Sequence, residues 1–157
     1  VRGIKEVQVA TAQEMHEAVM EHFQQTDAVV MAAAVSDYRP KESAAAKIKK
    51  IHGSESLELE KTEDILLNLG ELKEGQILVG FAAETQDLLE NAREKLRQKN
   101  LDFIVANDIT ATNVGFGSDT NEVTILWPGG EVEHLPLESK EVIAMEIWDR
   151  VERLWQA

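Results

Sequence analysis

The chain has 157 residues, the usual size of one domain and enough to enclose a hydrophobic core. Its apolar fraction of 43% fits a soluble globular protein, and no apolar run approaches the roughly 18 residues that suggest a membrane span. A net charge of −13 argues against general nucleic-acid binding, and the lack of cysteine excludes disulfides and cysteine metal sites. Nothing at the amino terminus resembles a signal peptide, so we expect a cytoplasmic protein.

Strand and helix patterns alternate along the chain. Thr11 and Glu14 form a capping-box pattern that opens the first helix, and Ser139 is predicted to cap the last one. The predicted elements are a strand at 5–9, a helix at 11–25, strands at 28–35 and 57–60, a helix at 63–72, a strand at 76–81, a helix at 86–99 capped by Thr85, a strand at 102–106, hairpin strands at 122–127 and 131–135, and a terminal helix. The pattern predicts an α/β fold with a Rossmann-like, mostly parallel sheet flanked by helices and an antiparallel C-terminal hairpin.

Polar residues follow three predicted strands at the edge where open parallel sheets bind ligands. The segments at 36–40, 81–85 and 107–108 should therefore line one rim. Alanines at 32–34 and 82–83 would let a ligand approach the backbone there. They are equally compatible with close packing of helices on the sheet.

Lysines cluster in a long polar loop at 36–56. Lys47, Lys49 and Lys50 could close over a phosphate as mobile point charges, because long loops of α/β proteins are often functional. A solvated connection explains them equally well.

A second basic cluster lies on the predicted helix at 86–99. Lys95 and Lys99 are four residues apart and share one face, and Arg93 and Arg97 form a similar pair about 160° away. Either pair could point at the rim while the other faces water.

Several kinds of site find no support in the sequence. There is no phosphate-binding P-loop and no G-x-G-x-x-G fingerprint after a strand, and the four histidines are scattered. The Gly-Phe-Gly at 115–117 reads as a turn before the terminal hairpin. A histidine metal centre and a P-loop mechanism are therefore not expected.

Five segments stand in a fixed order: AAAVSDYRP at 32–40, KIKK at 47–50, VGFAAET at 79–85, VAND at 105–108 and GFGSD at 115–119. Together they are similar to the AAVADYRP, KIKK, VGFAAET, VAND and GFGSD motifs of bacterial phosphopantothenoylcysteine synthetases. Each motif is weak alone, but the ordered set covers nearly the whole chain and is highly specific. The sequence therefore resembles this family.

The resemblance implies a ligase of coenzyme A biosynthesis that uses CTP and Mg²⁺. CTP activates 4′-phosphopantothenate as an acyl-cytidylate, and cysteine then displaces CMP. Lys47 would be the mobile catalytic lysine, Ala32 and Ala33 would contact substrate, and Asp37 could hold the metal directly or through the CTP phosphates. The CTP contacts implied by matching position are Asp37, Lys47, Glu63, Asp64, Ile65, Leu66, Phe81, Lys95 and Lys99.

Two departures from the family pattern affect these expectations. The family has Asn-Pro where this chain has Thr62-Glu63. The family's first strand, its Gly-rich turn and its SNxSSGKMG-type motif are absent, so we expect 1–157 to be a trimmed single synthetase domain that is inactive alone. In many bacteria the domain is fused to an FMN-dependent decarboxylase, of which no residue is recognisable here.

Two other functions remain open at this point. One is a non-catalytic nucleotide-binding or dimerisation fragment, and the other is a dinucleotide-dependent oxidoreductase, which the missing glycine fingerprint disfavours. The resemblance also implies a homodimer formed partly through the terminal hairpin.

Overall fold

The computed structural model describes residues 3–42, 56–84, 87–108 and 119–157. Within these ranges the chain forms a five-stranded sheet, a separate two-stranded sheet and helices on both faces of the larger sheet. The elements are α1 Ala12–Phe23, β1 Ala28–Met31, β2 Tyr38–Pro40, β3 Leu59–Lys61, α2 Ile65–Leu72, β4 Ile77–Glu84, α3 Leu88–Gln98, β5 Phe103–Asp108, β6 Thr120–Leu126, β7 Val132–Ser139 and α4 Lys140–Gln156.

The large sheet has the order β1-β4-β5-β6-β7. β1, β4 and β5 are parallel, whereas β6 and β7 form an antiparallel hairpin at one edge. The predicted fold class is therefore confirmed. In the described part of the chain, no helix has the length and apolar character needed to cross a bilayer.

The two faces of the sheet pack against different helices. Leu78 and Ile104 point to the face covered by α1, α2 and α3, and Val79 and Val105 point to the face covered by α4. All four side chains are at most 1% exposed. This period-two alternation of side-chain direction produces two hydrophobic layers, one on each face of β4 and β5.

Local sequence signals place the helix ends. The backbone N–H of Glu14 donates to Thr11 Oγ1 over 3.1 Å, and the backbone N–H of Thr11 donates to the Glu14 carboxylate over 3.2 Å. The backbone N–H of Val142 donates to Ser139 Oγ over 3.2 Å. Both predicted caps are confirmed, because these side chains satisfy amide groups that have no partner within the helix.

Other predicted boundaries were wrong. Residues 5–9 form no strand, and Val7 and Val9 are exposed, because no described strand takes their backbone hydrogen bonds. The strand predicted at 28–35 ends at Met31, the last residue paired with β4.

Two further elements differ from the sequence prediction. The long loop predicted at 36–56 contains β2, which pairs with β3. α3 begins only at Leu88, after Asp87 in the left-handed region (φ 51°). Thr85, its predicted cap, lies outside the described residues.

A charge network around the buried Arg150 fastens α4 to the hairpin. Arg150 is 6% exposed and donates to Glu133 over 2.6 Å and to the Glu146 carboxylate over 2.8 Å. Burial alone would raise the pKa of Glu133, but the hydrogen bond and positive charge of Arg150 outweigh it and hold that pKa below its ordinary value. The same carboxylate accepts a hydrogen bond from Trp127 Nε1, so the network also orients that indole.

Candidate functional site

A cavity of about 690 Å³ opens at the carboxyl ends of β1 and β4, and we name it the rim cavity. The segment that follows β1 forms one wall, the start of α2 forms another, and α3 closes a third side. Its lining residues are Met31, Ala33, Ala34, Val35, Ser36, Asp37, Tyr38, Lys61, Thr62, Glu63, Asp64, Ile65, Leu66, Leu67, Phe81, Ala83, Lys95 and Lys99. The cavity therefore lies where the parallel-sheet rule places a ligand.

Most of the residues singled out from the sequence meet in this cavity. Ala33, Asp37, Phe81, Lys95 and Lys99 line it together with the stretch from Glu63 to Leu66. Ala32 is exposed but does not line it. Lys47 and the rest of the KIKK segment lie outside the described residues, as does the Gly-Phe-Gly turn at 115–117.

Thr62 ties two walls of the rim cavity together. Its hydroxyl donates to the carbonyl oxygen of Ser36 over 2.6 Å, and its backbone N–H donates to the carbonyl oxygen of Asp37 over 2.9 Å. These bonds extend the β2–β3 pairing, in which Tyr38 stands opposite Lys61. Sequence reasoning missed this function of Thr62, although the departure from the family's Asn-Pro had marked the position.

Asp64 links α2 and α3 at the cavity wall. Its carboxylate accepts a hydrogen bond from the backbone N–H of Leu67 over 3.1 Å and so caps α2. The same carboxylate forms an ion pair with Lys99 Nζ at 2.8 Å. The Lys99 side chain is only 21% exposed, so the ion pair holds a cation in the wall rather than in bulk solvent.

The structure also decides which face of α3 meets the rim. Lys95 and Lys99 line the rim cavity, whereas Arg93 and Arg97 line a different cavity. The orientation follows from packing, because Ala92 and Leu96 between the two pairs are buried against the sheet.

The charges around the rim cavity are mixed. Its described lining residues include three positive side chains, Lys61, Lys95 and Lys99, and three carboxylates, Asp37, Glu63 and Asp64. The described residues contain no cluster of three or more Asp, Glu, His or Cys side chains that could hold a metal alone. This combination suits a phosphorylated ligand with Mg²⁺, since Mg²⁺ usually binds one or two carboxylates and completes its shell with phosphate oxygens and water.

Known proteins are similar to this chain in sequence and in fold. The coenzyme A biosynthesis bifunctional protein CoaBC of Bacillus subtilis is 48% identical over 154 residues, which are 98% of this chain and 38% of that protein. A cysteine/cysteine sulfinic acid decarboxylase from an unknown prokaryotic organism is 41% identical over 147 residues, which are 93% of this chain and 41% of that protein. The chain thus spans about two fifths of the length of these curated relatives.

A solved structure agrees with the sequence comparison. The crystal structure of the C-terminal domain of a coenzyme A biosynthesis bifunctional protein CoaBC superposes with a TM-score of 0.78 at 44% identity, covering 96% of this chain and 65% of that one. The family model described as the DNA/pantothenate metabolism flavoprotein C-terminal domain matches residues 1–154. The resemblance drawn from the motifs is confirmed, and the chain belongs to the family of DNA/pantothenate metabolism flavoprotein C-terminal domains.

Proposed function

We propose that this chain is the CTP-binding synthetase domain of a coenzyme A biosynthesis protein and forms the rim of a phosphopantothenate–cysteine ligase. In the proposed reaction, the carboxylate of 4′-phosphopantothenate attacks the α-phosphorus of CTP and releases pyrophosphate. The amine of cysteine then attacks the acyl carbon of the acyl-cytidylate, which yields 4′-phosphopantothenoylcysteine and CMP.

The observation that supports this proposal best is the convergence of the motif residues on one cavity. Asp37, Phe81 and the α3 pair Lys95 and Lys99 come from three separate parts of the chain, yet all line the rim cavity. Its volume of about 690 Å³ falls within the range typical of small-molecule sites, roughly 300–1,000 Å³. The family membership of the chain adds independent support.

Each side chain has a suitable part in this proposal. Phe81 is half-buried in β4 and offers an apolar surface for the pyrimidine. Lys95 and Lys99 supply positive charge for the triphosphate and for the negative charge that develops on the leaving pyrophosphate. Asp37 would share Mg²⁺ with phosphate oxygens, and that ion would neutralise charge on the same groups. Lys47 remains our proposed catalytic lysine.

The proposal extends to the complete protein. A fused decarboxylase part would carry FMN, and the synthetase would act as a homodimer, both as implied by the resemblance.

A ligand-induced shift in thermal unfolding tests the proposed CTP site. CTP with Mg²⁺ should stabilise the chain more than ATP, GTP or NAD, by about 2.7 kcal/mol at 100 times its dissociation constant. Lys99→Ala should reduce the shift. Lys41→Ala is the matched control, since Lys41 also forms an ion pair with a carboxylate (2.9 Å to Glu58) but does not line the cavity.

Three outcomes would count against the proposal. Equal shifts with all four nucleotides would remove the case for pyrimidine recognition. A CTP shift that is equally sensitive to Lys41→Ala and Lys99→Ala would indicate general charge attraction rather than binding in the rim cavity. A larger shift with NAD would favour the oxidoreductase reading.

A further inference from the structure

Helix α3 also faces a second cavity at the opposite end of the sheet. Arg93, Arg97, Lys73 and Trp127 line a space of about 500 Å³. Asp102, which directly precedes β5, also lines it, so this cavity opens at the amino ends of the parallel strands. We name it the amino-end cavity, and its location separates it from the rim cavity.

The amino-end cavity carries a surplus of positive charge. Among the described lining residues the acid is Asp102, which pairs with Lys73 at 2.7 Å and accepts a hydrogen bond from the backbone N–H of Leu78 over 2.6 Å. That carboxylate is therefore already occupied by two donors. Among the described residues, Arg93 and Arg97 have no acid within ion-pair distance. Because the charges of Lys73 and Asp102 cancel, the described lining residues have a net charge of about +2 from the two arginines.

This surplus is unusual in a protein with 29 acidic and 16 basic residues. Arg39 and Arg150 both form ion pairs with glutamates at 2.7 and 2.6 Å. Arg93 and Arg97 are exposed instead, one turn apart on the same face of α3. Two guanidinium groups at this spacing can direct parallel N–H donors at one anion.

Trp127 gives the same cavity a fixed aromatic wall. Its ring packs against Phe103 with ring centroids 4.9 Å apart, and its Nε1 donates to Glu133 over 2.8 Å. Glu133 is in turn held by the buried Arg150. An indole fixed in this way offers a flat surface on which an aromatic ring can stack without losing side-chain entropy.

We propose that the amino-end cavity binds a small phosphate monoester that carries a flat ring. Arg93 and Arg97 bind the phosphate, whose charge of nearly −2 at neutral pH matches theirs. Trp127 contacts the ring. A small ligand is favoured over a polyanion, because the net charge of −13 on the whole chain repels an extended phosphate backbone.

Phenyl phosphate is a suitable probe, with inorganic phosphate as the probe that lacks the ring. Both are titrated into the full chain while the indole N–H resonances are followed by ¹H–¹⁵N NMR. We expect phenyl phosphate to shift the Trp127 indole signal saturably and to bind more tightly than inorganic phosphate. Arg93→Gln combined with Arg97→Gln should weaken this binding about tenfold or more, since charge-assisted hydrogen bonds are lost.

Lys99→Gln serves as the control, because it removes a lysine from the rim cavity on the same helix and should leave the Trp127 titration unchanged. Both arginines are exposed, so the double variant should keep the wild-type unfolding temperature and a weaker titration cannot then be ascribed to misfolding. An unmoved Trp127 signal, or equal weakening by the lysine and arginine variants, would overturn the proposal.

Discussion

Gly70 on α2 packs against the backbone of Lys99, the residue that caps the C-terminus of α3, and its replacement by alanine tests that contact. A methyl group at this position would lie 2.7 Å from the carbonyl carbon of Lys99 and would overlap its oxygen, whereas ordinary contacts begin at 3.4 Å. The two backbones would therefore have to separate by about 0.7 Å for the carbon atom alone, the difference between those distances. Because the obstacle is backbone rather than a flexible side chain, rotamer changes cannot relieve it.

Two opposing effects set the size of the change. Alanine in a helix interior is better than glycine by about 1 kcal/mol. Overpacking a rigid contact costs about 1–3 kcal/mol, and the present overlap with a backbone carbonyl belongs at the upper end. We therefore expect Gly70→Ala to destabilise the fold by about 1–2 kcal/mol and to lower the unfolding temperature by about 2–8 °C.

Urea and thermal unfolding followed by circular dichroism would measure this difference. Gly75→Ala is the control, because nothing lies within 4 Å of a methyl group there. It should change stability by less than about 0.5 kcal/mol or raise it slightly. If Gly70→Ala were as stable as the wild type or more stable, helix propensity would dominate, and the expected steric overlap between α2 and the backbone of Lys99 would be refuted.

Two further predictions concern hydrogen-bonded groups. Thr62→Val removes the hydroxyl that donates to Ser36, so it should lower the unfolding free energy by about 1 kcal/mol and weaken CTP binding by loosening Asp37. Thr62→Ser keeps the hydroxyl and should restore both the stability and the binding. If calorimetric titration shows that the valine variant binds CTP normally, Thr62 has no positioning role. Glu133 has a lowered pKa, so its contribution to stability is present above its ordinary value of 4.5 and is lost as the pH falls through the lower folded value. Glu133→Gln should therefore make the unfolding free energy fall less steeply as the pH is lowered, which urea titrations between about pH 3 and 6 would measure. If the variant lost unfolding free energy with falling pH as steeply as the wild type, the pairing of Glu133 with Arg150 would be unimportant for stability.

Local signals in the sequence were sufficient for the helices, for most of the strands and for several boundaries. The caps at Thr11 and Ser139 act within one helical turn, so the residues that cause them are adjacent in the chain. The continuous apolar runs of β4 and β5 reflect burial on both faces of a parallel sheet, which hydrophobicity alone reveals. Strand formation at 5–9 could not be judged in this way, because it depends on a partner strand rather than on the segment itself.

The ordered motifs indicated the family, and the alternation of strand and helix patterns indicated the α/β fold. Most of the site residues implied by the motifs line the rim cavity, but Ala32 does not, and Lys47 lies outside the described residues. Helix geometry alone left open which pair of basic residues on α3 faces the rim, since Lys95 and Arg97 differ only in their direction around the helix axis, and only the resemblance favoured the lysines. Tertiary packing decided it by burying Ala92 and Leu96 against the sheet, which sends the lysines to one cavity and the arginines to another. The clamp from Thr62 to Ser36 likewise joins residues 26 positions apart, and such a contact exists only after the chain has folded.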